Sequence, residues 1–216
     1  MSASAPLIQL AHLDALTSGG SRLVYPHPER PGHLIKVIKR DAGRLKARFQ
    51  VTRQLRELRE YIRILGRPDD ALLRHLPEID GLVATDLGFG LSVAAVRGAD
   101  GGLAPTLSRL LAEARLGPHH RDLLALFFDR LQASSAVTGD LSRNNLVLGR
   151  DSAGNDYFAL VDGLGDNTLV PTCALVPGRN RYKKRLAARD FLADLDARLA
   201  DSRGPATASP TLPPRR

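Results

Sequence analysis

Thr138-Gly139-Asp140-Leu141-Ser142-Arg143-Asn144-Asn145-Leu146-Val147-Leu148 is the stretch on which the reading of this chain turns. An aspartate stands five residues before an asparagine, after a long apolar helical pattern and before a short apolar strand. A second apolar run, Tyr157 to Val161, leads into Asp162-Gly163-Leu164-Gly165. Between the runs, Asp151-Ser152-Ala153-Gly154-Asn155-Asp156 has strong turn chemistry, so the two pair as a hairpin. Such a hairpin brings Asp140 and Asn145, at its entrance, beside Asp162, where the returning strand stops. Converging oxygen ligands of this kind suit Mg²⁺, a hard cation that keeps several waters and bridges substrate phosphates. A nearby carboxylate can also accept the proton of an attacking hydroxyl. The plain alternative is loop chemistry alone, because Asp and Asn side chains readily bond to neighbouring backbone.

Upstream of that stretch, helical patterns cover Thr106 to Leu116 and Pro118 to Ala136, divided at Leu116-Gly117. Ala99-Asp100-Gly101-Gly102 is the best linker candidate. It divides a loose N-terminus (1–6) and a first lobe (7–98) from a second lobe (103–201) and a disordered tail (202–216). In the first lobe, Leu13 to Thr17 and Arg22 to Tyr25 read as short strands around Ser18-Gly19-Gly20-Ser21. Leu34 to Ile38 reads as a strand with apolar residues on both faces. A helix follows from Arg44 to Leu65, with Val51, Leu55, Leu58, Ile62 and Leu65 forming one buried stripe. Leu82 to Ala84 and Leu91 to Val96 form a hairpin, and a last helix runs from Tyr182 to Leu199. The order predicts an α+β protein with two segregated lobes.

Composition narrows the classes. With 43% hydrophobic and 25% charged residues, wholly disordered and collagen-like chains are excluded. The single cysteine, Cys173, excludes an intramolecular disulfide framework and multi-cysteine metal sites, and reads as an inert buried thiol. No apolar run is long enough to cross a bilayer, and the first ten residues do not resemble a signal peptide, so a cytoplasmic location is expected. The 31 basic against 23 acidic residues give a net charge of +8, which favours polyanions without choosing among them.

The stretch from Asp140 to Asn145 resembles the Asp-Leu-x-x-x-Asn catalytic loop of protein kinases, with Asp162 where the metal-binding aspartate follows. More narrowly, the chain is similar to the YrbL family, proteins of the PhoP regulatory network. The similarity is carried by Gly19-Gly20-Ser21-Arg22, Val24-Tyr25-Pro26-His27-Pro28, Leu34-Ile35-Lys36-Val37, Arg56-Glu57-Leu58 with Tyr61, and Asp162-Gly163-Leu164-Gly165. It spans roughly Leu7 to Ala197. It implies a compact two-lobed protein-kinase-like fold, with a β-rich N-lobe carrying one helix and a shortened helical C-lobe. It also implies ATP and Mg²⁺ as ligands.

Lys36 shares a strand face with Leu34 and Ile38, so its ammonium must snorkel to water or find an anion. The resemblance gives it the role of the kinase strand lysine, on the α- and β-phosphates of ATP, paired with Glu57. Lys39 competes from the other face, and Glu60 is the alternative to Glu57. Gly19 and Gly20 can let backbone N–H groups approach phosphates, although tight hairpin turns use the same residues. There is no Walker-type Gly-x-x-x-x-Gly-Lys-Ser/Thr. Thr138-Gly139 stands where the kinase loop has His-Arg, Ser142 replaces a lysine, and Gly163-Leu164 replaces Phe-Gly. These departures touch protein phosphorylation more than nucleotide or metal binding.

Arg179, Arg181, Lys183, Lys184, Arg185 and Arg189 crowd the start of the last helix, with Tyr182 the one aromatic among them. They are a candidate polyanion contact or a solvated helix face. Three functions stay open at this point: an atypical phosphotransferase acting on a hydroxyl through Asp140, with Asn145 and Asp162 on magnesium; a noncatalytic regulator with the same fold; and a basic nucleic-acid-binding protein.

Overall fold

The computed structural model describes residues 7–18, 22–39, 44–67, 70–166 and 177–202. Thr17–Ser18 (β1), Arg22–Pro26 (β2), His33–Ile38 (β3), Ile79–Thr85 (β4) and Gly88–Ala94 (β5) form one antiparallel sheet, ordered β1-β2-β3-β5-β4. β3 lies in the middle and is covered on both sides, which is why its sequence has apolar residues at every position but one after His33. Ile35 and Val37 point into a small outer core with Leu10 and Tyr25. By the two-residue alternation of a strand, Leu34, Lys36 and Ile38 point to the opposite face.

The cover of the outer face comes from the N-terminal segment. Ile8 bridges to Thr85, and the backbone N–H groups of Leu10 and Ala11 donate to the Asp86 carboxylate at 2.8 and 3.1 Å. Leu13 and Ala15 pack against this core instead of joining the sheet. The expected strand from Leu13 to Thr17 therefore shrinks to Thr17–Ser18. The hairpin expected near Leu82 and Leu91 is present, but both strands start earlier.

The helix Arg44–Leu65 (α1) has the expected bounds and an unexpected orientation. Val51, Leu55, Ile62 and Leu65 are each about half exposed, whereas Gln54, Glu57, Glu60, Tyr61 and Ile64 are buried. The predicted buried stripe is thus wrong. Polar anchoring turned the helix: Gln54 donates to the Lys36 carbonyl oxygen, and Glu57 and Glu60 are held by the partners described below. Val51 and Leu55 are left lining a shallow apolar hollow of about 370 Å³ with Ile38, Leu82, Leu87 and Phe89.

After a tight turn in which Gly98 N–H donates to the Gly102 carbonyl, the chain enters the second lobe. Leu107–Ala112 (α2) is shorter than expected and is capped by Thr106, whose hydroxyl accepts from Arg109 N–H. Pro118–Ala133 (α3), the hairpin Leu146–Arg150 (β6) and Asp156–Leu160 (β7), and Pro177–Ser202 (α4) follow. Asp151 closes the hairpin turn by accepting from the N–H groups of Ala153 and Asn155. The main core joins Phe127, Phe128 and Leu131 of α3 to Phe158 and Leu160 of β7. Tyr61 and Ile64 of α1 enter the same core, so α1 belongs to both lobes.

Lys184 corrects another expectation. It is 1% exposed, and its ammonium donates to the carbonyl oxygens of Leu131 and Ser134 at the end of α3. It caps that helix from within and cannot reach a polyanion. Arg179, Arg181, Arg185 and Arg189 stay exposed along α4. Among the described residues no helix is long and apolar enough to cross a membrane. Gly19, Gly20 and Cys173, residues 1–6, which were expected to be loose, and all but the first residue of the expected tail 202–216 lie outside the described residues.

Candidate functional site

The returning strand β7 and the loop before β6 are stitched together residue by residue. Val161 N–H donates to the Asn145 carbonyl at 2.8 Å, and the Asn145 side-chain amide donates to the Asp140 carbonyl at 3.1 Å. Gly139 N–H donates to the Gly163 carbonyl at 2.9 Å. Gly163 sits at φ +98°, in the left-handed region, and a Cβ there would run into the Asp140 carbonyl oxygen. Glycine is required for both reasons. Asp140, Asn145 and Asp162 thus share one turn of space, as the spacing in the sequence predicts.

Lys36 reaches this cluster from the central strand of the sheet. Its ammonium donates to the Val161 carbonyl oxygen at 2.5 Å and lies 3.4 Å from Glu57 Oε1. The side chain is 8% exposed. Lys39 instead borders the apolar hollow outside the site. Of the two candidate glutamates, Glu57 meets the lysine. Glu60 serves elsewhere: its carboxylate accepts from Val137 N–H at 2.6 Å and from both Nε and Nη2 of Arg63. Arg63 in turn donates to the Ser135 carbonyl. This clamp fastens α1 to the segment leading into Asp140.

Arg22 is the residue that sequence reasoning missed as a member of the site. It lies opposite Ile38 in the β2–β3 register, while Val24 lies opposite Lys36, so it shares the face of the lysine. Arg22 Nη1 donates to Glu57 Oε2 at 2.5 Å and lies 3.6 Å from Asp162 Oδ2. Burial alone would push its guanidinium pKa down, but the charges of Glu57 and Asp162 outweigh this and hold it up. Its signal in the sequence was position only, an arginine directly after Ser18-Gly19-Gly20-Ser21 and at the start of a short strand pattern.

The donors suit a hard divalent cation. Asn145 commits its amide N–H to Asp140, which turns its carbonyl oxygen the other way. Asp162 accepts from its neighbour Gly163 N–H through Oδ1, and its side chain is 27% exposed, open enough for a ligand to approach. Among the described residues no three His, Cys, Asp or Glu side chains gather as a metal cage. An ion here would be completed by oxygens of a bound phosphate compound and water, the usual habit of Mg²⁺.

With this geometry in view, the comparisons with known proteins decide the family. The family described as PhoP regulatory network protein YrbL matches residues 8–196. The chain belongs to the YrbL family. It is similar to the protein named "Uncharacterized protein YrbL" of Escherichia coli strain K12, 28% identical over 198 residues, covering 87% of this chain and 90% of that one. The protein of the same name from Shigella flexneri matches to the same extent. Among solved structures, this YrbL-family chain is similar to the PknI kinase domain of Mycobacterium tuberculosis, with a TM-score of 0.42 and 15% identity. That likeness covers 69% of this chain and 56% of that one. It is also similar to Rad53 in complex with AMP-PNP, with a TM-score of 0.47 and 13% identity, over 70% of this chain and 38% of that one. The chain therefore spans little more than half of the first and well under half of the second. The fold is α+β, with the five-stranded antiparallel sheet in the first lobe, the remaining helices and the β6–β7 hairpin in the second, and α1 packed against both.

Proposed function

We propose that this YrbL-family protein binds a nucleoside triphosphate, ATP in the first instance, with Mg²⁺ between the sheet and the loops around Asp140 and Asp162, and transfers its terminal phosphoryl group to a hydroxyl acceptor. The observation that carries this reading is the meeting of the Lys36 ammonium with the backbone one residue before Asp162, where Asp140 and Asn145 also converge. A buried lysine held between the Glu57 carboxylate and the Val161 carbonyl oxygen is an expensive arrangement for structure alone and a suitable one for phosphate oxygens.

Each residue has a defined task in this reading. Lys36 would hold phosphate oxygens, with Glu57 limiting its swing. Asp162 and Asn145 would hold Mg²⁺, which when bound neutralises phosphate charge. Asp140 would accept the proton as the acceptor oxygen bonds to the γ-phosphorus and the bond from that phosphorus to the β–γ bridging oxygen breaks, releasing ADP. Positioning and electrostatic stabilisation supply the rate enhancement in such transfers. The +8 charge suits an anionic ligand, and a cytoplasmic location would give access to nucleotide.

The test is phosphate transfer from ATP, with Mg²⁺, to a panel of small hydroxyl compounds and proteins. Transfer abolished by Asp140→Ala supports the enzyme. Nucleotide binding without any turnover would assign the protein a regulatory role through the same site.

A further inference from the structure

We infer that Arg22 is a second phosphate-binding cation, working beside Lys36, so that part of the charge neutralisation of a bound polyphosphate is built into the chain. This rests on the nucleotide reading above and adds a residue to it. The side chain is 6% exposed and enters from β2 on the face that carries Lys36. One of its terminal nitrogens, Nη1, serves Glu57 and faces Asp162. The other, Nη2, is buried and has no hydrogen-bond partner among the described residues.

A buried guanidinium N–H without an acceptor is costly, and a native site rarely keeps one without a use. Asp162 draws Nη1 towards the proposed phosphate and metal region, so the planar fork carries Nη2 to the same neighbourhood. Charge points the same way. Lys36 and Arg22 balance Glu57 and Asp162 one for one, so these four side chains tolerate burial together. A polyphosphate brings further negative charge, and an arginine with one arm satisfied and one arm open can meet it without releasing Glu57. Lysine at this position would satisfy the carboxylates but offer no second, fixed donor.

The experiment is calorimetric titration of the full chain with ATP, in excess Mg²⁺ and in excess EDTA, for the native protein, Arg22→Lys and Arg22→Gln. Melting temperatures establish that each variant is folded. Native protein is expected to bind ATP in both conditions, more tightly with Mg²⁺. Arg22→Lys keeps the positive charge towards both carboxylates and is expected to weaken binding about tenfold or more in EDTA, with Arg22→Gln weaker still. In the native protein, the Arg22 guanidinium signals in a nitrogen-15 spectrum are expected to shift on adding ATP, a readout that needs no variant. Native-like affinity in Arg22→Lys, or unmoved guanidinium signals while ATP binds, overturns the inference and leaves the nucleotide site standing. Failure of the native protein to bind ATP in either condition overturns the site reading and the inference together.

Discussion

The Lys36 ammonium is closer to the Val161 carbonyl oxygen, at 2.5 Å, than to the Glu57 carboxylate, at 3.4 Å. The lysine is therefore tied to the second lobe, 125 residues further along the chain, as firmly as to its own helix partner. Glu57 is held instead by Arg22 at 2.5 Å. The same lysine that would meet phosphate in the proposed function makes the Val161 contact between the lobes.

Glu60 should prove as important to the architecture as Glu57 is to the site. Its buried carboxylate accepts from the buried Val137 N–H and from Arg63, which is itself exposed. Glu60→Ala leaves the buried Val137 N–H without its side-chain acceptor, while Arg63 keeps only its contacts to Ser135. The substitution is expected to destabilise the protein by about 1–3 kcal/mol in urea denaturation, whereas Glu113→Ala, which removes an exposed partner of Arg109, is expected to leave the midpoint close to native. Equal midpoints for Glu60→Ala and the native protein would show that α1 is fastened by other contacts.

Two glycines with similar backbones provide a controlled comparison. Gly154 at φ +85° has open space where a Cβ would go, while Gly163 at φ +98° faces the Asp140 backbone. Gly154→Ala is expected to cost only the left-handed backbone penalty, about 1–2 kcal/mol. Gly163→Ala must also push Asp140 away, so it should cost clearly more and disturb ligand binding. Calorimetric unfolding of the two variants checks the difference.

Much of the site was legible because its chemistry follows chain spacing. Asp140 and Asn145 lie within one loop, and a hairpin of definite length returns Asp162 to them. Strand alternation set Lys36 beside Leu34 and Ile38 with an anion to find, and the family resemblance supplied Glu57 as its partner. Helix α1 was not legible, because apolar periodicity assumes that the greasiest face is the buried one. Here Glu57 and Glu60 reach fixed partners on β2 and on the Ser135–Val137 segment, and satisfying buried charges outweighs covering Val51, Leu55 and Ile62. Arg22 was missed for a related reason: its role appears only when β2 is registered against β3. Lys184 looked like one more surface cation in a basic run, since no local pattern says which of six neighbours turns inward.

The burial of Lys184 has a pH signature. Desolvation lowers its pKa from 10.5 to about 8 in the folded protein. Between about pH 8 and 10.5 the unfolded chain holds this proton and the folded chain does not, so stability rises with pH across that window. The penalty is present in full below pH 8. Lys184→Met should remove this rise, on the order of 1–3 kcal/mol, as measured by denaturation midpoints at pH 7.5 and 10. A native profile flat across that interval would place the ammonium in a better-solvated position.

The most direct measurement is ATP affinity with and without Mg²⁺ in the native protein and in Asp162→Asn. Asparagine keeps the size of the side chain but removes the charge that faces Arg22 and would hold the cation. Native protein should bind ATP more tightly with Mg²⁺, and Asp162→Asn should lose that gain while remaining folded. An undiminished Mg²⁺ response in Asp162→Asn, or no ATP binding by the native protein, would contradict the account.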